Sequence, residues 1–245
     1  MIVNINEFYR RKKGDFMSKP LEKLCGKSAD YILETYGHKY RYPIDIVGIV
    51  ENIGGISLGS MDFEELDKIF FSNGKEGHII GAVRVKDDGV QIIYSKKLDE
   101  DKNEEFASLS ESEKKEKLIR RQRFTIAHEL GHCCLHIAAN RKESYIDFRS
   151  KDTEREYSND EKVANVFAGE LLMPKHIIEA FIEDPKKYDV ANDKGEISIR
   201  KMADAFWVNN HVMYERLMHL KSTDELKGCA KFDVSEVTGV KELWL

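Results

Sequence analysis

The chain has 245 residues, 41% hydrophobic and 34% charged, with a formal net charge of -5. That length and composition suit a globular protein able to bury a sizeable core, and the negative balance gives no support to a protein whose main task is to coat nucleic acid or an anionic membrane, while leaving room for local basic patches. No run of about 18 apolar residues is present to span a bilayer, and no apolar signal core follows the basic stretch "MIVNINEFYRRKKGDF", so a cytoplasmic location is expected.

Leu21, Leu24, Cys25, Ala29, Ile32 and Leu33 recur at helical spacing, which predicts an amphipathic helix from Pro20 to Tyr36, stopped by Gly37. A second helix follows Pro43, carrying Ile46, Val47, Ile49 and Val50 up to the Gly54-Gly55 break, and a strand is expected from Ile56. Residues 78–95, "HIIGAVRVKDDGVQIIYS", are two β-branched runs separated by Lys86, Asp87, Asp88 and Gly89, which predicts a hairpin. The segment 96–120 is nearly all charge and reads as a solvated loop leading into an exposed helix. Helical periodicity runs through "RQRFTIAHELGHCCLH" and again from Glu161 to Glu183, broken at Pro174, with a polar connector between. A further helix pair is expected in "EISIRKMADAFWVNNHVMYERLMHLK", then a tail that alternates enough for short strands. Strands early and helices late give an α+β class. Cys25, Cys133, Cys134 and Cys229 show no C-x-x-C spacing and read as reduced, small apolar residues.

The chemistry concentrates in "HELGH". His128 and His132 are four residues apart, so on a helix they share one face and can bind one cation. Glu129, beside the first of them, can take a proton from an activated water and pass it to a leaving amine. Phe124, Ile126, Ala127, Leu130 and Leu135 make the helix read as buried, and histidines and a glutamate in a buried helix need a reason that a metal supplies. Gly131 suits close packing of this helix against another element.

The third ligand is less direct. His136 lies eight residues beyond His128, about 12 Å along a straight helix, too far to converge on one ion. The pattern H-E-x-x-H-x-x-G-x-x-H fails as well, because Leu135 and Ala138 stand at the glycine and histidine positions. Asp160, Glu161 and Glu170 remain as carboxylates on a later helix. Glu161 with Asn165 one turn on could supply a ligand and a hydrogen-bond partner for a ligand histidine. Ser158 and Glu161 also form S-x-x-E, a capping box in which Glu161 only closes the helix start. Spacing leaves both readings open.

The two blocks "RQRFTIAHELGHCCLH" and "EKVANVFAGELLMP", in that order, resemble the ImmA/IrrE family of bacterial and phage metallopeptidases, and "YPIDIVGIVENIGGISL" is similar to a segment that precedes them there. The resemblance covers roughly residues 20 to 220 in outline. It implies a zincin-like metallopeptidase core, a small sheet with a hairpin plus packed helices, over residues 1–189. Residues 190–245 would then be a small helical segment of helix-turn-helix type with its tail. It also implies a gluzincin-like site: Zn2+ held by His128, His132 and Glu161, with Glu129 as general base. The expected activity is zinc-dependent endopeptidase cleavage that inactivates a helix-turn-helix repressor, often encoded beside it on a phage or mobile element. The alternative is a regulator that keeps the fold and acts by binding protein or DNA without proteolysis. Two departures are visible: Val163 stands where a second Glu is common, and segment 96–120 is longer than the usual connector.

In the C-terminal segment, Asn209, Asn210, His211 and Arg216 are candidates for DNA contact. Asp204 and Glu215 oppose phosphates, and Trp207 occupies the turn where glycine is often found. A helical bundle that packs on the catalytic part or binds its substrate is the other reading. Tyr145, Tyr157, His176, His211 and Tyr214 are candidates for stabilising an oxyanion.

Overall fold

A computed structural model describes residues 19–70, 77–97, 109–134, 145–150, 159–226, 230–235, 237 and 243–244. The fold is α+β. The chain divides into two compact units, one made of Met1–Ser28 with Ile46–Ala168, the other of Ala29–Asp45 with Gly169–Leu245.

The first unit is built on a four-stranded sheet of order β1-β3-β2-β4, with β1 at Ile56–Met61, β2 at Gly77–Lys86, β3 at Gly89–Ser95 and β4 at Tyr145–Ser150. The expected hairpin is β2 and β3, paired antiparallel up to Lys86 opposite Gly89. Gly89 has φ 153, and a Cβ there would meet the Gly55 carbonyl oxygen at 2.3 Å, so the turn requires glycine. β1 runs parallel to β3, and β4 pairs antiparallel with β2. Where a polar connector was expected between the two motif helices, the chain therefore contributes an edge strand. In its sequence "YIDFRS" only Ile146 to Arg149 alternate, which is enough to make a strand once β2 offers a partner.

Helix α1 spans Lys19–Thr35, α2 Ile46–Asn52 and α3 Glu64–Phe70. The third of these was not anticipated, since seven residues carry barely two turns of periodicity. Phe63 and Leu66 nonetheless bury against Ile79, Ala82 and Ile93 of the sheet. Helix α4 runs Glu111–His132 and packs across β3 and β2 and against α2. Its start is fixed by Ser110: the Ser110 hydroxyl accepts from the Glu113 backbone N–H, and Glu113 Oε2 accepts from the Ser110 N–H at 2.8 Å. The first half is exposed, with Glu111–Lys114 and Glu116–Arg120 pairs on its surface. From Arg121 to His132 it turns inward and becomes almost wholly buried. Helix α5, Asn159–Leu172, begins in this unit and its C-terminal turn belongs to the second.

The second unit carries α6 at Lys175–Glu183, α7 at Ile199–Phe206 and α8 at Asn210–Ser222. Pro174 separates α5 from α6, as its missing N–H and fixed φ dictate. A small sheet of β5 (Ile197–Ser198), β6 (Lys231–Asp233) and β7 (Leu243–Trp244) completes it, so strands appear late as well as early. Helices α7 and α8 meet at Trp207, which sits in the left-handed region at φ 56, ψ 49, where glycine is the usual occupant. No helix among the described residues is long and apolar enough to cross a membrane.

Candidate metal centre

The buried half of α4 places His128 and His132 one turn apart on one face. Their rings meet edge to face with centroids 4.7 Å apart, and their Nε2 atoms are 3.0 Å apart. Between them in sequence, Glu129 is completely buried. It points to a different neighbour: an ideal Cβ on Gly81 of β2 would lie 2.4 Å from Glu129 Oε1. The strand's backbone therefore stands directly against the carboxylate.

Helix α5 supplies the remaining groups. It comes close because Gly131 has no side chain; a Cβ there would stand 3.0 Å from Phe167 Cδ1 and 3.2 Å from Ala164 Cα. At that distance Glu161 reaches both imidazoles, with Oε2 3.1 Å from His128 Nε2 and Oε1 3.4 Å from His132 Nε2. Burial raises the Glu161 carboxyl, but His128 and His132, when their Nε2 atoms carry protons, outweigh it and hold the group well below the usual carboxylate range. Spacing left Glu161 either at a helix cap or beside the histidines; its carboxylate lies with the histidines. Ser158, the other half of the expected capping box, lies outside the described residues.

Asn165 Oδ1 stands 2.9 Å from His128 Nδ1. An amide oxygen only accepts, so this contact puts the proton on Nδ1 and leaves the lone pair of His128 on Nε2, facing Glu161. Two acceptor atoms 3.1 Å apart fit together when a proton or a cation lies between them. The ligand atoms of His128, His132 and Glu161 all lie within 4.8 Å of one another. Nitrogen and oxygen ligands about 2.0–2.1 Å from one ion at near-tetrahedral angles stand roughly 3.3 Å apart, and the three observed separations bracket that value. The donor set therefore fits a small divalent cation, and the asparagine supplies a hydrogen bond that fixes the tautomer of His128.

Other candidates are placed elsewhere or differently. His136, Tyr157 and the side chain of Tyr145 lie outside the described residues. His176, His211 and Tyr214 belong to the second unit, and His176 donates its Nε2–H to the Lys39 carbonyl at 2.6 Å. Arg216 is not a phosphate-reading group. It is buried, with NH1 and NH2 on Glu170 Oε1 and Oε2 at 3.0 and 2.7 Å and Nε toward the Met173 carbonyl. A guanidinium whose side chain is 2% exposed and paired with a carboxylate cannot reach DNA, which corrects that part of the helix-turn-helix expectation. Burial pushes the Cys133 thiol well above its usual range and the Cys134 thiol up to about 12, in keeping with small, protonated apolar residues. Gly81 was missed in the sequence, although a glycine in the middle of a β-branched strand is a recognisable sign of close approach.

Residues 115–219 match the family model Peptidase_M78, described as the IrrE N-terminal-like domain, which is the domain of the ImmA/IrrE family. The matched span holds His128, Glu129, His132, Glu161 and Asn165. No curated protein matches the chain.

Proposed function

We propose that this chain, which carries the ImmA/IrrE family domain in residues 115–219, is a zinc-dependent endopeptidase with a zincin-like core. The observation that carries the reading is the convergence of His128, His132 and Glu161, with the buried Glu129 carboxylate on the same helix. Two imidazoles and one carboxylate are a donor set suited to Zn2+ with a position left for water or substrate. Bound there, the ion supplies Lewis acidity that polarises a peptide carbonyl and acidifies a water.

The chain's own residues do the rest. His128 and His132 would hold the ion through Nε2, and Asn165 keeps the His128 proton on Nδ1 so that its Nε2 lone pair stays available. Glu161 adds the anionic ligand. Glu129 takes the proton from the attacking water and delivers it to the leaving amine nitrogen, so a single carboxylate serves as base and then acid. Its complete burial excludes competing bulk water from that transfer.

The substrate proposed is a helix-turn-helix repressor encoded beside this protein on a phage or mobile element, and α7 with α8 is proposed as a protein-binding rather than DNA-reading pair. The burial of Arg216 against Glu170 and Met173 supports that choice. The test is co-expression with the neighbouring repressor-like protein. Mass spectrometry is expected to find a shortened repressor with the wild type and an intact one with Glu129→Gln, at equal zinc content. If the variant disables the repressor as well as the wild type does, the protein acts by binding and the peptidase reading fails.

A further inference from the structure

Strand β2 breaks its own alternation next to Glu129. Regular strands put residues an even number apart on one face, yet Ile79 and Ala82 share one apolar cluster with Phe63 and Ile93. The pairing with β4 explains this: Ile79 opposes Phe148 and Gly81 opposes Asp147, so the register shifts by one residue between them. A bulge at Ile80 absorbs the extra residue and turns Gly81 onto the face opposite the Ile79–Ala82 cluster. On that face an ideal Cβ at 81 would fall 2.4 Å from Glu129 Oε1, 2.6 Å from Thr125 Cγ2 and 3.1 Å from Glu129 Cδ.

Glycine is not needed here for its backbone freedom. Gly81 is absent from the residues with positive φ, so an alanine could adopt its conformation without strain. What a side chain would lack is space. Thr125 is buried and stiff about its single side-chain torsion, whereas Glu129 has three rotatable bonds, so Glu129 is the group that would give way. Its carboxylate occupies the volume that any other residue at 81 would fill.

We propose that Gly81 is a positioning residue for Glu129: the bulge and the missing side chain together form the seat that holds the general base in place. This rests on the reading of Glu129 as the base in peptide hydrolysis. The seat is a packing feature of α4 against β2, so it can be measured apart from hydrolysis.

The test is Gly81→Ala in the zinc-loaded full chain, alone and in the Thr125→Ser and Thr125→Ser/Glu129→Ala backgrounds. Thermal unfolding is expected to show a loss of roughly 5 °C from Gly81→Ala in the wild type. A smaller but clear loss is expected with Thr125→Ser, and less than about 1 °C when both neighbours are trimmed. On fluorescein-labelled casein, Gly81→Ala is expected to lower kcat at least about 10-fold with KM within about twofold, zinc content unchanged, and the acid limb of the pH profile displaced. A loss that is equal in all three backgrounds, including no loss at all, overturns the proposal, as does an unchanged pH profile with unchanged kcat. Wild-type protein that cleaves neither casein nor the co-expressed repressor-like protein overturns the peptidase reading, and the unfolding series still decides whether Gly81 seats Glu129.

Discussion

Two buried polar clusters, one in each unit, are served by α5 and are opposite in design. In the second unit, Arg216 meets Glu170 through two parallel hydrogen bonds and spends its Nε on a carbonyl, so the buried charges are paired with each other. In the first, His128, His132 and Glu161 turn ligand atoms toward one another, and the Asn165 contact leaves His128 presenting a lone pair to a carboxylate. The first arrangement completes itself. The second has the donor set that a bound cation would complete, so buried polar groups of similar cost would serve structure in one place and chemistry in the other.

The largest effect that can break the contrast is expected at the self-completed pair. Arg216→Ala strands a carboxylate that is only 14% exposed and is predicted to cost about 3–5 kcal/mol in denaturant unfolding, whereas Arg216→Met with Glu170→Leu recovers most of it. Chelator is predicted to leave that unit's contribution unchanged. At the metal-completed cluster the loss appears mainly with the ion present: Glu161→Ala is predicted to remove about 4 kcal/mol of ligand-dependent stabilisation at a thousandfold excess over the wild-type Kd, read as the zinc-induced rise in Tm. If Glu161→Ala loses stability equally with and without zinc, the cluster is a structural pair like the other.

Smaller changes sharpen the same comparison. Gly131→Ala drives a Cβ against Phe167 and the Ala164 backbone and is predicted to cost about 1–3 kcal/mol, together with weaker zinc binding because α5 carries Glu161. Asn165→Ala is predicted to weaken zinc binding about 10–100-fold with little change in metal-free stability, while Asn165→Asp retains it. Titration against a chromophoric chelator separates these two from a general loss of folding.

The parts of this design that were legible in the sequence are those written within one element. The His128 and His132 spacing fixes their shared face, and the β-branched runs flanking Asp87-Asp88 fix the hairpin. Glu161 was ambiguous because a carboxylate at the third position of a helix serves capping and ligation equally well by spacing, and only the approach of α5 to α4 decides where it points. That approach depends on Gly131, whose role needs both helices in place. Edge strand β4 and helix α3 were missed for a related reason: each is six or seven residues long, and their stability comes from β2 or from the sheet face. Arg216 carried no sign in the sequence that Glu170, 46 residues away, would claim it. The bulge at Ile80 is a property of two strands and cannot be seen in one.

The measurement that tests the central claim most directly is the metal content of the purified protein after dialysis against a weak chelator, compared among wild type, Glu129→Gln and Glu161→Ala. One zinc per chain is predicted for the wild type and for Glu129→Gln, and less than about a tenth of that for Glu161→Ala. Equal zinc in all three, or none in the wild type, would contradict the assignment of His128, His132 and Glu161 as the metal centre.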